Sequence, residues 1–80
     1  MKVTPQIIRG ELIGAGVKVA KSPHSSYVGL SGEVINETRN TFTVLHAGKA
    51  KSVIKNLAIF HFTFPDGTIV EIDGKLLAGR

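Results

Sequence analysis

The side chains of this chain best suited to chemistry are basic. Lys18 and Lys21 flank a first apolar run, Arg39 and Asn40 sit in a polar turn, and Lys49, Lys51 and Lys55 follow one another with little acidic interruption. Ammonium and guanidinium groups spread over adjacent strands and turns can neutralise phosphates and release their counterions, which is the chemistry of nucleic-acid binding. Catalysis would need other groupings. His24, His46 and His61 are scattered, and no two stand at a metal-ligand spacing such as His-x-x-x-His. Ser25 and Ser26 lie beside His24 without a nucleophile-elbow pattern. The acidic residues suggest no acid/base pair. Gly14-Ala15-Gly16 precedes an apolar alternation, so it reads as a stop rather than as a phosphate loop opening a helix. The chain itself is not expected to be catalytic, and no metal site or cofactor is expected on it.

These basic residues must be placed by a small scaffold. The 80 residues suffice for one domain, and a chain of this size buries only about 60% of the surface its unfolded form exposes. With no cysteine, neither disulfides nor a thiolate zinc site can supplement the core, which leaves a partner surface for that role. Ten Lys and Arg against six Asp and Glu give a net charge of +4, an excess that favours an anionic partner. No long apolar run follows Met1-Lys2-Val3-Thr4-Pro5, so a soluble, cytoplasmic protein without a membrane span is expected.

From about residue 16 the chain is a series of short apolar runs separated by turn residues, the pattern of an antiparallel all-β domain. Val17-Lys18-Val19-Ala20-Lys21 alternates as a half-buried strand does. After the loop composition of Ser22 to Ser26, a long strand is predicted with Val28, Leu30, Gly32 and Val34 on one face. Gly32 marks a bend or a close backbone approach there. Glu37 to Thr41 reads as a hairpin turn, with Asn40 suited to a left-handed conformation. Phe42 and Val44 continue the inward pattern, Ala47-Gly48-Lys49 makes a second turn, and Lys51 to Lys55 is a basic strand around Val53 and Ile54. Phe60, Phe62 and Phe64 keep a period of two, Pro65-Asp66-Gly67 turns the chain, and Val70 and Ile72 carry a further strand. Leu76-Leu77 would add a short last one. Five to six strands with these turns predict a small closed barrel over residues 16–80, whose inward set runs from Val17 and Val19 to Val70 and Ile72.

Residues 1–15 follow another rule. Thr4-Pro5 can start a helix, Ile7, Ile8, Glu11 and Leu12 recur at helical spacing, and Gly14 and Gly16 end the pattern. The predicted short N-terminal helix needs support from the barrel or from another protein. Ile7, Ile8, Leu12 and Ile13, beside an outward Ile35, are its candidate protein-partner surface; covering one end of the barrel is the alternative. The phenylalanines point inward by periodicity, leaving Tyr27 as the exposed aromatic candidate for base stacking. Recognition of a folded RNA by shape and phosphate position suits this distribution better than reading of a single strand.

The order of certain residues is also familiar. Glu11-Leu12-Ile13-Gly14, Val17-Lys18-Val19, Val28-Gly29-Leu30-Ser31-Gly32-Glu33-Val34 and Glu37-Thr38-Arg39-Asn40-Thr41 occur in turn, followed by Lys55, Phe60, Gly74, Leu77 and Gly79-Arg80. This succession resembles the archaeal ribonuclease P protein component 1 family, related to a subunit of the eukaryotic enzyme. The stretch from Gly29 to Thr41 is its most specific part. The resemblance implies an Sm-like barrel that binds ribonuclease P RNA and supports 5′ maturation of precursor tRNA. It further implies that the RNA performs the hydrolysis with its own magnesium ions and that other protein subunits join, among them a small zinc-binding one. By position it marks Lys18, Arg39, Asn40, Lys55 and Arg80 as RNA contacts; Lys21, Lys49 and Lys51 join them on charge placement. Gly10 departs from the larger polar residue many relatives carry, and many relatives continue beyond Gly79-Arg80 into a C-terminal helix.

Three other readings compete: a generic Sm-like RNA-binding protein in a homo-oligomeric ring that prefers uridine-rich strands, a structural interaction module, and a stand-alone hydrolase. Ring-sized particles, salt-insensitive partner binding and RNA-free activity would mark them respectively.

Overall fold

The computed structural model describes residues 12–78. Six strands follow one another: β1 (Gly16–Lys21), β2 (Ser31–Glu37), β3 (Thr41–His46), β4 (Lys49–Ile54), β5 (Ile59–Thr63) and β6 (Ile69–Asp73). All their pairings are antiparallel, and they form one sheet in the order β4-β3-β2-β1-β5-β6. Two 3-10 turns, Lys55–Leu57 and Gly74–Leu76, follow β4 and β6. The predicted all-β class is therefore borne out.

The sheet is strongly curled. Phe42 on β3 and Phe60 and Phe62 on β5 are three strand spacings apart along the ladder, about 14 Å in a flat sheet. Their rings instead meet at 5.3 and 5.7 Å, edge to face, a geometry favoured by the aromatic quadrupole. Val17, Val19, Val34, Val44, Val53, Val70 and Ile72 complete the core around them. Gly32 makes the tight approach expected of it, because a Cβ there would overlap the carbonyl of Leu45.

The closed barrel and some boundaries need correction. β4 and β6 are edge strands joined by no ladder, so the sheet curls without closing. The long strand through Val28 and Leu30 starts only at Ser31. Gly29 takes φ 83°, and the Leu30 amide turns back to the carbonyl of Tyr27, which leaves Val28 exposed. Leu76 and Leu77 belong to a 3-10 turn and its cap, with the Leu77 amide bonded to the Gly74 carbonyl. The Ala47-Gly48 turn has both residues at positive φ (51° and 79°), as the two-residue hairpin turn that matches strand twist requires. Asn40 is not left-handed; Ala47 alone takes positive φ among the described non-glycine residues.

Residues 1–11 of the expected N-terminal helix lie outside the described residues. Residues 12–15 form a turn: the Ala15 amide bonds to the Leu12 carbonyl, and Gly14 takes φ 95°. Gly14 and Ala15 then bond to Val34, prolonging the β1–β2 edge, while Leu12 is fully buried in the core. The sheet competes successfully for these backbone groups, and the core begins before residue 16.

Candidate nucleic-acid interface

Strand alternation decides where each basic side chain goes. Along the β3–β4 hairpin Phe42 faces Val53 and Val44 faces Lys51, with His46 opposite Lys49 at the turn. Phe42, Val44 and Val53 are buried, so His46, Lys49, Lys51 and Lys55 all follow the parity of the concave face. Their fates then diverge with position. Lys49 and Lys51 lie beyond the core and are exposed, whereas Lys55 is 0% exposed.

The Lys55 ammonium donates to Glu37 Oε2 at 2.7 Å, to the carbonyls of Thr38 at 2.8 Å and Leu77 at 3.1 Å, and to that of Arg39 at 3.3 Å. It also lies 4.8 Å from the Phe42 ring centroid. An ammonium has three protons to give, so these oxygens and the ring replace its hydration shell. Its backbone amide holds the Asn40 carbonyl at 2.8 Å. Gly74 approaches so closely that a Cβ there would strike the Lys55 carbonyl and the Phe60 ring. Lys55, expected to touch RNA, thus has its charge turned inward; it ties the β2–β3 turn and the chain after β6 to the end of β4. The residues that carried the family resemblance, Lys55, Phe60, Gly74 and Leu77, converge on this one knot.

The remaining basic residues spread over three concavities and a hairpin tip. Lys21 and Lys75 line a hollow of about 330 Å³ with Ser22, Asn56 and Asp73. Lys18 sits between Ser31 and His61 in the ladder, bordering a second hollow of about 370 Å³; there His61 Nε2 is 2.7 Å from Glu71 Oε2. Lys51 borders a third of about 450 Å³ with Ser26, Tyr27, Val28, Gly29, Leu30, His46 and Ser52. Arg39 and Asn40 are exposed at the β2–β3 tip, where the hydroxyls of Thr38 and Thr41 bond at 2.6 Å and the Thr41 amide donates to Thr38 Oγ1. Arg80 lies outside the described residues. Lys49 and Lys51 thus come together on one hairpin, separated from Lys55, and Lys18 and Lys21 occupy other hollows.

Several features escaped the sequence. Lys75 had no regular period to mark it. Tyr27 is half-buried against the core and stacks on His24 at 4.7 Å with a 22° interplanar angle, rather than standing free. The Ser22 hydroxyl donates to the Leu57 carbonyl, pinning the loop that carries both rings. The expected partner surface also divides: Ile13 and Ile35 are exposed, Leu12 is buried, and Ile7 and Ile8 lie outside the described residues. Among the described residues no three His, Asp or Glu side chains come together as a metal site, and no helix is long and apolar enough to cross a membrane.

Comparison with known proteins gives a consistent picture. A family model described as ribonuclease P/MRP, subunit p29, matches residues 5–80. Ribonuclease P protein component 1 of Methanothermobacter thermautotrophicus is 46% identical over 80 residues, covering 98% of this chain and 86% of that protein. Its counterpart from Pyrococcus furiosus is 45% identical over 74 residues, covering 92% of this chain and 58% of that longer protein. A solved structure described as Mth11, a homologue of human RNase P protein Rpp29, superposes with a TM-score of 0.68. It is 46% identical, and the match covers 86% of this chain and 90% of that one.

Proposed function

The chain belongs to the ribonuclease P/MRP subunit p29 family, and on that premise we propose that this ribonuclease P subunit acts in the cytoplasm by binding the enzyme's folded RNA and supporting 5′ maturation of precursor tRNA. The observation that carries this reading is the placement of Lys18, Lys21, Lys49 and Lys51 as exposed ammonium groups on hydrogen-bonded strands. Strands fix their spacing, so the protein can match a set of phosphates held by a folded RNA. Arg39 and Asn40 add further polar and cationic groups at the β2–β3 tip, the other end of β3 from Lys49 and Lys51. Lys75 joins Lys21, and Arg80 remains a candidate contact by its place in the family motif. Lys55 acts indirectly, by holding that tip. Hydrolysis is assigned to the RNA and its magnesium ions, with no cofactor on this chain. Other protein subunits, including a small zinc-binding one, are the proposed protein partners, with exposed Ile13 and Ile35 as the described part of their docking surface.

Binding of the purified protein to its cognate ribonuclease P RNA across a salt series tests the proposal, with a uridine-rich single strand of equal length as control. The folded RNA should be preferred, and the double variant Lys49→Gln/Lys51→Gln should lower the salt slope by about 1–2, the loss expected for two phosphate contacts. Equal binding to the single strand would instead favour assembly into a homo-oligomeric Sm-like ring, a reading supported by the β4 and β6 edges, which have no further strand among the described residues. A ring-sized particle in solution would accompany it.

A further inference from the structure

We propose that the hollow between the 22–30 loop and the tip of the β3–β4 hairpin receives one unpaired nucleotide of the bound RNA; this deepens the RNA-binding reading and rests on it. The hollow measures about 450 Å³, within the range of pockets that hold small organic ligands (roughly 300–1,000 Å³). Its wall offers what a nucleotide needs. Tyr27 and the exposed Val28 supply apolar surface for a base, Lys51 an ammonium for its phosphate, and Ser26 and Ser52 hydroxyls for sugar or phosphate oxygens. Among the described residues no carboxylate stands in that wall, and of the three hollows described it alone joins a tyrosine ring to a cation.

His46 adds a directional group. Its Nδ1 lies 2.6 Å from the Ser31 carbonyl oxygen and 3.3 Å from the Ser31 amide nitrogen. The shorter contact is to an oxygen that can only accept, which favours the tautomer with the proton on Nδ1. In that tautomer Nε2 is an acceptor, suited to the exocyclic amino group of an adenine. The loop is preorganised for this role. The Tyr27 amide bonds to the His24 carbonyl and the Leu30 amide to the Tyr27 carbonyl. Val19 bonds to both Gly29 and Leu30, and His24 stacks on Tyr27. A wall already held in place loses little conformational entropy when the nucleotide enters. A base extruded from a helix needs such a seat, whereas the surrounding duplex can be gripped by phosphates alone. The pocket therefore gives the subunit a way to choose where on a folded RNA it sits.

The test uses the full chain and three RNA hairpins: one with a single bulged adenosine, one with an abasic residue in its place, and one fully paired. The wild type should bind the bulged adenosine roughly 10-fold more tightly than the abasic hairpin, the size expected for one stacked base. 2-Aminopurine in the bulge should change its fluorescence on binding. Tyr27 contacts the core, so the diagnostic variant is Val28→Glu, which places a carboxylate in the hollow from an exposed position. It should abolish the discrimination and the fluorescence change, while the paired hairpin still binds with a salt slope lower by about 1, because the carboxylate neutralises the neighbouring Lys51. Equal wild-type affinity for all three hairpins, or discrimination that survives in Val28→Glu, would overturn the pocket and leave the RNA-binding reading intact. Failure to bind any of the three would overturn both.

Discussion

Lys51 and Lys55 stand four residues apart, follow the same face of the chain, and do opposite things. Lys51 opens onto solvent next to a hollow bounded by a pinned loop. Lys55 is enclosed by four oxygens and an aromatic ring. The difference between the two regions is what covers them. At the far end of the β3–β4 hairpin no ladder among the described residues joins the edges of the curled sheet, and the β2–β3 turn and the chain after β6 fold over Lys55. Near the hairpin tip nothing among the described residues folds over Lys51. A buried charge is tolerated only when its hydrogen-bonding shell is rebuilt in protein, and here that shell also links two edges that no ladder joins. One end of the hairpin uses positive charge to hold the fold, and the other leaves it available to a ligand.

The largest effect should come from breaking the closed end. Lys55→Ala leaves the Glu37 carboxylate, only 13% exposed, without its ammonium, and removing one member of such a pair costs about 3–5 kcal/mol. Urea denaturation should show this as a lower midpoint. The double variant Lys55→Met/Glu37→Gln should recover part of the loss, because it removes both charges and keeps apolar volume. A cost below about 1 kcal/mol for Lys55→Ala would mean that the knot does not link the edges.

Two glycines sharpen the comparison at a smaller scale. Gly74→Ala places a Cβ against the Lys55 carbonyl and the Phe60 ring, an overpacking that should cost about 1–3 kcal/mol. Gly48→Ala at the hairpin tip meets nothing within 4 Å and is penalised only by its φ of 79°, about 1–2 kcal/mol. A Gly74→Ser variant should therefore be worse than Ala, since the obstacle is space, while Gly48→Asn should be milder than Gly48→Ala, since the obstacle is conformation. Thermal melts of the four variants separate the two causes.

The contrast also explains what could be read in advance. Period-two alternation placed Phe42, Val44, Phe60, Phe62, Phe64, Val70 and Ile72 correctly because each is flanked by residues that face out. The turns at Ala47-Gly48 and Pro65-Asp66-Gly67 carry their own backbone chemistry. Val28 misled, because alternation continued through a loop whose turn depends on left-handed Gly29. The inward fate of Lys55 had one local sign, its spacing of two from Val53, but burial depends on Glu37, Thr38, Arg39 and Leu77, which are 16 to 22 residues away. The open edges were likewise hidden, since closure depends on how far the sheet curls. For the interface, charge marked the lysines, but only the fold separates Lys51 from Lys55.

The smallest expected effect on stability falls on the open end, where it is most diagnostic. Lys51→Gln removes an exposed charge that supports no described buried group, so the urea midpoint should move by less than the equivalent of about 0.5 kcal/mol. RNA binding should weaken in the same variant, and its salt slope should fall by about 1, the signature of one lost phosphate contact. Lys55→Met should show the reverse pattern, with a lower urea midpoint and, in conditions where it remains folded, an unchanged salt slope. If Lys51→Gln left the salt slope untouched while Lys55→Met reduced it, the two lysines would have exchanged roles, and the knot rather than the hollow would be facing the RNA.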